Sequence, residues 1–278
     1  MRKIYDILFF SASLIFTLLI IYIFAHIMWT IFSYGISFFI NQPSGQVLFG
    51  DAFFALIVTT VMLVITTLLI VTPVAIASAV YLQEYAKKKP ITKIIRLSIQ
   101  TLASIPSIIY GLFGMLVYIR MLNFGMSILT GAATLSLMLL PLLITQIENS
   151  LSLVPKAITE ASYGLGSTKF ETIMKIIVPQ ASSGIFVATL LATSRIIGES
   201  AALLFTLGTF KRMPLSSTTG LISINEPATT LTIRAFIEFK EYGDVHSAMA
   251  IGVIVISTGV GVNLLLNLIK KLQGKNHK

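Results

Sequence analysis

Five long stretches of this 278-residue chain contain no Lys, Arg, Asp or Glu. About 20 consecutive apolar residues cross the roughly 30 Å of a bilayer's hydrocarbon core as a helix, and each stretch exceeds that length. Unbroken apolar runs also exclude membrane β-strands, which would show about ten residues of alternating polarity. The chain is therefore predicted to be a helical membrane protein that crosses the bilayer several times. The five stretches are residues 7–50, 52–83, 97–119, 121–147 and 245–269.

Charged residues make up only 11% of the chain, and apolar residues make up 55%. An average soluble protein carries about 25% charged residues, so a soluble enzyme, a disordered tail and a fibrous repeat are all disfavoured. The net charge of +9 often indicates nucleic-acid binding, but in membrane proteins it more often reflects basic cytoplasmic loops. No nucleic-acid partner is therefore expected. The absence of cysteine excludes disulfides, thiol catalysis and Cys-ligated metals.

A sixth apolar stretch, residues 181–208, is interrupted by Arg195 and Glu199. The first apolar run is far longer than the 7–15 residues of a signal-peptide core, so we expect it to be retained as a span. In the third span, Pro106 is expected to form either a flexible joint or a static kink. The fold class predicted is all-α, a polytopic bundle of six transmembrane helices. Their positions are near residues 8–32, 53–80, 97–119, 125–146, 181–206 and 247–269.

Basic residues are distributed unevenly among the segments that connect the predicted spans. With the N-terminus inside, 14 of the 20 lie in cytoplasmic segments, five lie outside and Arg195 lies within a span. Basic loops stay in the cytoplasm, so this asymmetry predicts a multi-pass plasma-membrane protein with both termini cytoplasmic. The cytoplasmic set is Arg2, Lys3, Lys87, Lys88, Lys89, Lys93, Arg96, Lys156, Lys169, Lys175, Lys270, Lys271, Lys275 and Lys278.

The segment between the fourth and fifth predicted spans, residues 148–180, is expected to be folded rather than a plain connector. Pro155 suits the first turn of a short helix, and Gly166 readily adopts the positive φ that ends one. Thr168 and Glu171 form a T-x-x-E capping box, which starts a second short helix. Two short helices joined by a glycine elbow are therefore predicted on the cytoplasmic side.

The same segment carries a spaced motif. Glu160-Ala161-Ser162 is followed after three residues by Gly166, and after nine more by an I-I-V-P sequence that ends at Pro179. This pattern resembles the EAA loop of ABC-importer permeases, with Ser for the second Ala and Val for Leu. The resemblance implies that these five residues couple the chain to a cytoplasmic ATPase. The alternative is an amphipathic helix that lies on the membrane surface.

Three further blocks resemble the PstA-type permease subunits of phosphate ABC importers, and this similarity covers nearly the whole chain. The third block departs from the usual R-A-I-G-E-T-A-P-L-L-F-T at Ile196, Ser200 and Ala202, without any change of charge. The blocks read Y-L-Q-E-Y at 81–85, P-S-I-I-Y-G-L-F-G at 106–114 and R-I-I-G-E-S-A-A-L-L-F-T at 195–206.

The resemblance implies a non-catalytic subunit that forms half of a phosphate pathway in the bilayer. Its implied partners are a second, PstC-like permease subunit, a PstB-like ATPase dimer and an external PstS-like phosphate-binding protein. ATP and Mg would be used by the ATPase, and no cofactor is expected on this chain, which lacks the G-x-x-x-x-G-K-[ST] phosphate loop. No metal site is predicted either, because His26, His246 and His277 are scattered.

Arg195 and Glu199 are four residues apart, which would place both on one face of a continuous helix. A charged side chain inside a membrane span costs about 2.5–3.5 kcal/mol to insert, so it normally faces a partner or an aqueous path. A guanidinium can bind a phosphate through two parallel hydrogen bonds. The hypothesis is that Arg195 meets the anion in the translocation path while Glu199 restrains it at rest. The alternative is a neutralised pair that only holds the span in register.

We expect three parts of the chain: an N-terminal helix and external loop (1–52), a permease domain (53–270) and a cytoplasmic tail (271–278). The permease domain would include the coupling loop, 148–180, and an external loop, 209–244. Other functions stay open at this point. They are a permease for another oxyanion or solute, an ATP-independent channel or secondary transporter, and a membrane sensor.

Overall fold

The computed structural model of the chain describes residues 2–41, 51–86, 90–209, 215 and 222–275. Regular structure within these ranges is helical, apart from one isolated bridge between Leu215 and Ile222. The helices are α1 (Arg2–Asn41), α2 (Asp51–Val80), α3 (Pro90–Ala103), α4 (Ser107–Gly114), α5 (Ile128–Ser152), α6 (Lys156–Gly164), α7 (Lys169–Gln180), α8 (Ser182–Gly198), α9 (Leu231–Lys240) and α10 (Val245–Lys275). Several residues that the topology and metal-site predictions counted lie outside the described ranges: Lys87, Lys88, Lys89 and Lys278 of the cytoplasmic set, Lys211 and Arg212 of the five external basic residues, and His277.

Two of these helices, α2 and α4, continue directly into π-helical turns, and α7 contains a third. The turns are Tyr81–Tyr85 at the end of α2, Met115–Met121 at the end of α4 and Ile173–Ile177 inside α7.

Among the described residues, four helical stretches are long and apolar enough to cross a membrane. Two bent pairs of helices also qualify if each pair counts as one span. A total of up to six spans confirms the predicted all-α polytopic bundle. The straight stretches are Phe9–Ile40, Phe53–Tyr85, Ile128–Ser152 and Val245–Leu264; the bent pairs are Ile91–Ala103 with Ser107–Met121 and Lys169–Gln180 with Ser182–Gly198.

The third span, predicted near residues 97–119 with a joint or kink at Pro106, is bent there, because the chain turns by 93° between α3 and α4. Pro106 has no N–H to continue a helix, and proline disfavours helical backbone at the residue before it. The Tyr110 hydroxyl donates to the Leu102 carbonyl over 2.9 Å, which satisfies a backbone acceptor beside the break. Pro106 therefore marks a bend, and the flexibility of that bend stays a prediction.

The fifth span also differs from its prediction, since α8 ends at Gly198 rather than at residue 206. Glu199 takes extended backbone, with φ −80° and ψ 130°, and a short 3-10 turn follows at Leu203–Phe205. Leu203 and Leu207 are completely buried. The apolar run that predicted a longer span is therefore partly a buried turn, which hydropathy alone cannot distinguish from a membrane helix.

Helix α5 lies at the centre of the bundle, where it packs against α2, α3, α4 and α8. Its fully buried leucines recur every fourth residue, which gives one continuous apolar face. They are Leu135, Leu139 and Leu143. By contrast, none of the most apolar window of α1 is buried. α1 contacts α10, and Gly35 allows this approach because a Cβ there would lie 2.9 Å from the Met249 carbonyl oxygen.

The predicted external loop, residues 209–244, contains helix α9, which the sequence did not predict. Its first turn is capped by the Thr230 hydroxyl, which accepts from the Ile233 N–H over 3.4 Å. Ile233 and Ile237 are buried against neighbouring helices, and Arg234 is buried as well, paired with Glu238. At ten residues, α9 is too short for a span and was hidden within a polar stretch.

The close approach of α4 to the buried turn predicts the effect of adding a single methyl group. A Cβ at Gly111 would lie 2.7 Å from the Ala202 carbonyl oxygen and 2.8 Å from its Cα, and backbone atoms cannot give way as a flexible side chain does. Gly111→Ala should lower the free energy of unfolding by about 1–3 kcal/mol. Thermal unfolding of the detergent-solubilised protein measures this change.

Gly259→Ala is the matched control, because a Cβ at Gly259 in α10 meets no atom within 4 Å. Alanine should there leave stability unchanged or raise it by up to about 1 kcal/mol. Equal changes in the free energy of unfolding for Gly111→Ala and Gly259→Ala would contradict the close contact between Gly111 and the Ala202 backbone.

Candidate functional site

The predicted coupling loop folds as two short helices, α6 and α7, joined by a glycine elbow. Pro155 caps the start of α6 with extended backbone, φ −61° and ψ 129°, as its fixed φ favours. Gly166 has a φ of +86°, which L residues with a side chain rarely adopt. The elbow is closed by the Ser167 N–H, which donates to the Ser162 carbonyl over 3.2 Å.

The capping box that starts α7 is complete. The Glu171 N–H donates to the Thr168 hydroxyl over 3.3 Å, and the Thr168 N–H donates to the Glu171 carboxylate over 3.0 Å. The Thr168 hydroxyl also donates to this carboxylate over 2.8 Å. The backbone bond and the hydroxyl bond from Thr168 lower the pKa of Glu171, and the ammonium of Lys175 lowers it further. The ionised carboxylate therefore holds the N-terminus of α7 in place at neutral pH.

The predicted coupling residues divide into two groups by exposure. Glu160, Ala161 and Pro179 are exposed, so they are available to a partner, and Gly166 lies at the exposed elbow. Ser162 is buried between the two helices, where its hydroxyl lies 2.9 Å from that of Thr172. The serine that departs from the EAA pattern thus has a hydrogen-bond partner on α7, which the motif did not reveal.

Large apolar side chains project from the loop. Leu165 beside the elbow is 87% exposed and Phe170 in α7 is 66% exposed, whereas Ile173 and Ile177 of the same helix are buried. Phe170 therefore lies on the outer face of α7, away from the buried face that carries Ile173 and Ile177. The loop therefore exposes two large apolar side chains, one beside the elbow and one on the outer face of α7.

Arg195 lies in the last turn of α8, and its side chain is exposed. It takes part in none of the ion pairs among the described residues. Helix α8 ends at Gly198, and Glu199 caps it with φ −80° and ψ 130°, so the continuous helix that the i, i+4 spacing assumed stops one residue before Glu199. No ion pair joins Arg195 and Glu199 among the described residues. In this structure, Arg195 is therefore not neutralised by Glu199.

Glu199 is held by two other contacts. Its Oε1 accepts from the Ala202 N–H over 3.2 Å, which caps the buried turn. Its carbonyl accepts from the Thr232 hydroxyl of α9 over 2.9 Å. Sequence reasoning missed Thr232, because only the tertiary fold brings α9 to the end of α8. Glu199 therefore contacts the backbone of the buried turn and helix α9, and its restraint of Arg195 stays a prediction.

Residues 72–275 match the profile of the family described as "Binding-protein-dependent transport system inner membrane component". The chain belongs to this family. It is a multi-pass membrane protein, as the apolar helices already indicate. The matched part contains the coupling loop, Arg195, Glu199 and α9, while α1 precedes it.

Named relatives from three bacteria are also similar. The chain is 36% identical over 168 residues to a probable ABC transporter permease protein, YqgI, of Bacillus subtilis. It is 35% identical over 221 residues to a phosphate transport system permease protein PstA homolog of Mycoplasma genitalium. It is 32% identical over 202 residues to PstA of Yersinia pestis. These matches cover 58%, 77% and 72% of this chain, but 57%, 32% and 65% of the relatives, so the chain spans less than two thirds of each.

Solved structures share the fold. A chain of the MetNI methionine ABC transporter, in an inward-facing conformation, superposes with a TM-score of 0.62 at 16% identity, covering 83% of this chain and 98% of that one. A bacterial ABC transporter for alginate import gives 0.62 at 15% identity, covering 91% and 95%. The helical arrangement is therefore that of ABC-importer permeases.

The buried hydroxyl pair predicts that restoring the EAA alanine destabilises this loop. Ser162→Ala leaves the buried Thr172 hydroxyl without this partner, which should cost about 1 kcal/mol of local stability. Amide hydrogen exchange across α6 and α7 should accelerate accordingly.

A double-mutant cycle with Thr172→Val isolates the pair. The double variant should exchange more slowly than the sum of the two single effects predicts, since it leaves neither hydroxyl unpaired. Additive effects would mean that the two hydroxyls do not interact.

Proposed function

We propose that this chain is a permease subunit of an ATP-driven importer of inorganic phosphate, forming half of the translocation pathway. The observation that carries this proposal is the EAA-like segment, which folds into two helices and leaves Glu160 and Ala161 exposed. Family membership supports the importer class, and relatives that are phosphate transport permeases support the substrate.

A direct mechanical route runs from the loop to Arg195. α7 passes into α8 through a 61° bend at Ala181, so the second loop helix and the fifth span are consecutive. Arg195 follows the start of α8 by 13 residues, or about 20 Å at 1.5 Å per residue. A displacement of α7 by a closing ATPase therefore shifts the helix that carries the guanidinium.

Arg195 would bind the phosphate. Its exposed guanidinium offers parallel N–H donors that match two phosphate oxygens, and no carboxylate in the described chain pairs with it. Glu199 would act differently, by fixing the turn that follows Arg195 through Ala202 and Thr232. In this proposal Arg195 contacts the anion and Glu199 positions the end of its helix.

The remaining parts of an importer would come from other chains. The proposed partners are a second permease subunit, an ATPase dimer that uses ATP and Mg, and an external phosphate-binding protein. This chain would be non-catalytic and would bind no cofactor. Leu165 and Phe170 would extend the ATPase contact around Glu160.

A permease for another oxyanion is the second candidate, since the coupling loop would serve any substrate. Uptake of labelled phosphate by the reconstituted complex, in competition with molybdate, sulfate and arsenate, separates the two. Uptake that depends on ATP and the binding protein, and that excess sulfate and molybdate leave unchanged, supports phosphate. Displacement by either of these anions favours the second candidate.

Arg195 substitutions test the pathway. Arg195→Ala should reduce phosphate uptake by about 10-fold or more, because a charge-assisted bidentate contact is worth about 1.5–3 kcal/mol. Arg195→Lys should retain part of the rate, since an ammonium keeps the charge but cannot form the two parallel hydrogen bonds of a guanidinium.

Arg120→Ala is the matched control, because Arg120 is exposed and forms no ion pair among the described residues. Uptake by this variant should stay near the parent rate. Assembled Arg195→Ala complexes that transport at the parent rate would remove Arg195 from the path.

The proposed orientation, with both termini in the cytoplasm, gives a labelling prediction. The chain has no cysteine, so Lys156→Cys and Lys240→Cys each introduce a single thiol. In intact cells whose outer surface is accessible, a membrane-impermeant maleimide should label Cys at 240 and should label Cys at 156 only after lysis. The reverse pattern would invert the topology.

A further inference from the structure

A contact between the coupling loop and the end of α2 has no role in the function proposed above. The Lys169 ammonium, on the first residue of α7, donates to the Glu84 carbonyl over 2.6 Å. The same ammonium lies 4.4 Å from the centre of the Tyr85 ring. Glu84 and Tyr85 belong to the Y-L-Q-E-Y block, which the sequence singled out without assigning it a function. We propose that Lys169 latches the coupling loop to α2, so that movement of the loop is passed to this helix.

The carbonyls at the end of α2 explain why a cation binds there. The last carbonyls of a helix lack intrahelical donors and carry the negative end of the helix dipole. Here the Ala86 N–H donates to the Tyr81 carbonyl over 2.9 Å, which closes the π-helical turn. The last turn contains no basic residue of its own, so the cation that reaches the Glu84 carbonyl comes from a residue 85 positions later in the chain.

The ring beside this carbonyl strengthens the contact. An ammonium over an aromatic face within about 6 Å is attracted by the ring's quadrupole, and Tyr85 presents its face to Lys169. Tyr85 is itself stacked on Tyr81, with ring centroids 6.4 Å apart and an angle of 11° between the planes. The acceptor side of the latch is therefore formed by two tyrosines and one backbone carbonyl of the same π-helical turn.

Both ends of the latch are fixed to larger bodies. On the loop side, Lys169 directly follows Thr168, whose capping box with Glu171 holds the first turn of α7. On the membrane side, the π-helical turn packs against α5 as well as continuing α2. A displacement of α7 therefore pulls on α2 and on the central helix α5, in addition to acting on α8 through the bend at Ala181.

The latch predicts a loss of coupling without a loss of fold. An exposed cation–carbonyl contact adds little to global stability, so Lys169→Met should assemble normally. In reconstituted complexes, phosphate moved per ATP hydrolysed should fall about 5-fold, the change expected when a contact worth about one kcal/mol is lost from a two-state step. Lys169→Arg keeps the cation and should retain most of the parent ratio.

Lys93→Met is the matched control. Lys93 is an exposed lysine in α3, on the same predicted side of the membrane, and it forms no ion pair among the described residues. This variant removes the same charge without touching the latch, so its ratio should match the parent. A ratio for Lys169→Met equal to that of Lys93→Met overturns the proposal.

Covalent rescue distinguishes a mechanical link from local packing. The chain has no cysteine, so Tyr85→Cys with Lys169→Cys creates one thiol pair. The reduced double variant should be uncoupled, and joining the thiols with a short bifunctional methanethiosulfonate should restore phosphate moved per ATP. Restoration supports the latch, and cross-linked complexes that stay uncoupled overturn it.

The latch rests on the proposed function, yet the two can fail separately. A parent complex that hydrolyses ATP but imports no labelled phosphate overturns the proposed function and the latch with it. A parent complex that imports phosphate while Lys169→Met couples equally well overturns only the latch.

Discussion

In the hydrocarbon core, every backbone N–H and C=O must find a partner within the protein, and this requirement governs where the chain departs from straight helices. At the break between α3 and α4, the Tyr110 hydroxyl donates a hydrogen bond to the Leu102 carbonyl. Beyond α8, the Glu199 carboxylate accepts from the Ala202 N–H, and the Thr232 hydroxyl donates to the Glu199 carbonyl. Irregular backbone at membrane depth is tolerated only inside protein or beside water, so such breaks are where a pathway can be built.

Much of the helical fold could be predicted from sequence, because the length of an apolar stretch depends on composition alone. The two loop helices were also predictable, since Pro155, Gly166 and the Thr168–Glu171 box act within a few residues. The end of α8 and the existence of α9 were not. A buried turn and a membrane helix are equally apolar, and α9 is stabilised by neighbours distant in sequence.

The candidate sites divide in the same way. Motif spacing singled out Glu160, Ala161 and Arg195, which are exposed, and their contacts with other molecules stay predictions. The roles of side chains facing inward depend on tertiary partners. The motif showed Ser162 only as a mild departure, whereas in the structure its buried hydroxyl is hydrogen-bonded to that of Thr172. Glu199 was expected to pair with Arg195, but i, i+4 spacing ensures a shared face only within a continuous helix, and α8 ends at Gly198.

The bend in the third span divides that span between two sets of neighbours. On one side, Arg96 of α3 is paired with Glu148 of α5. On the other, Gly111 of α4 lies against the backbone of Ala202, in the turn that follows Arg195. A straight, rigid helix would tilt as a whole, whereas the predicted flexible joint at Pro106 would let the two segments follow different parts of the bundle. The two ends of the proposed pathway need not therefore open together.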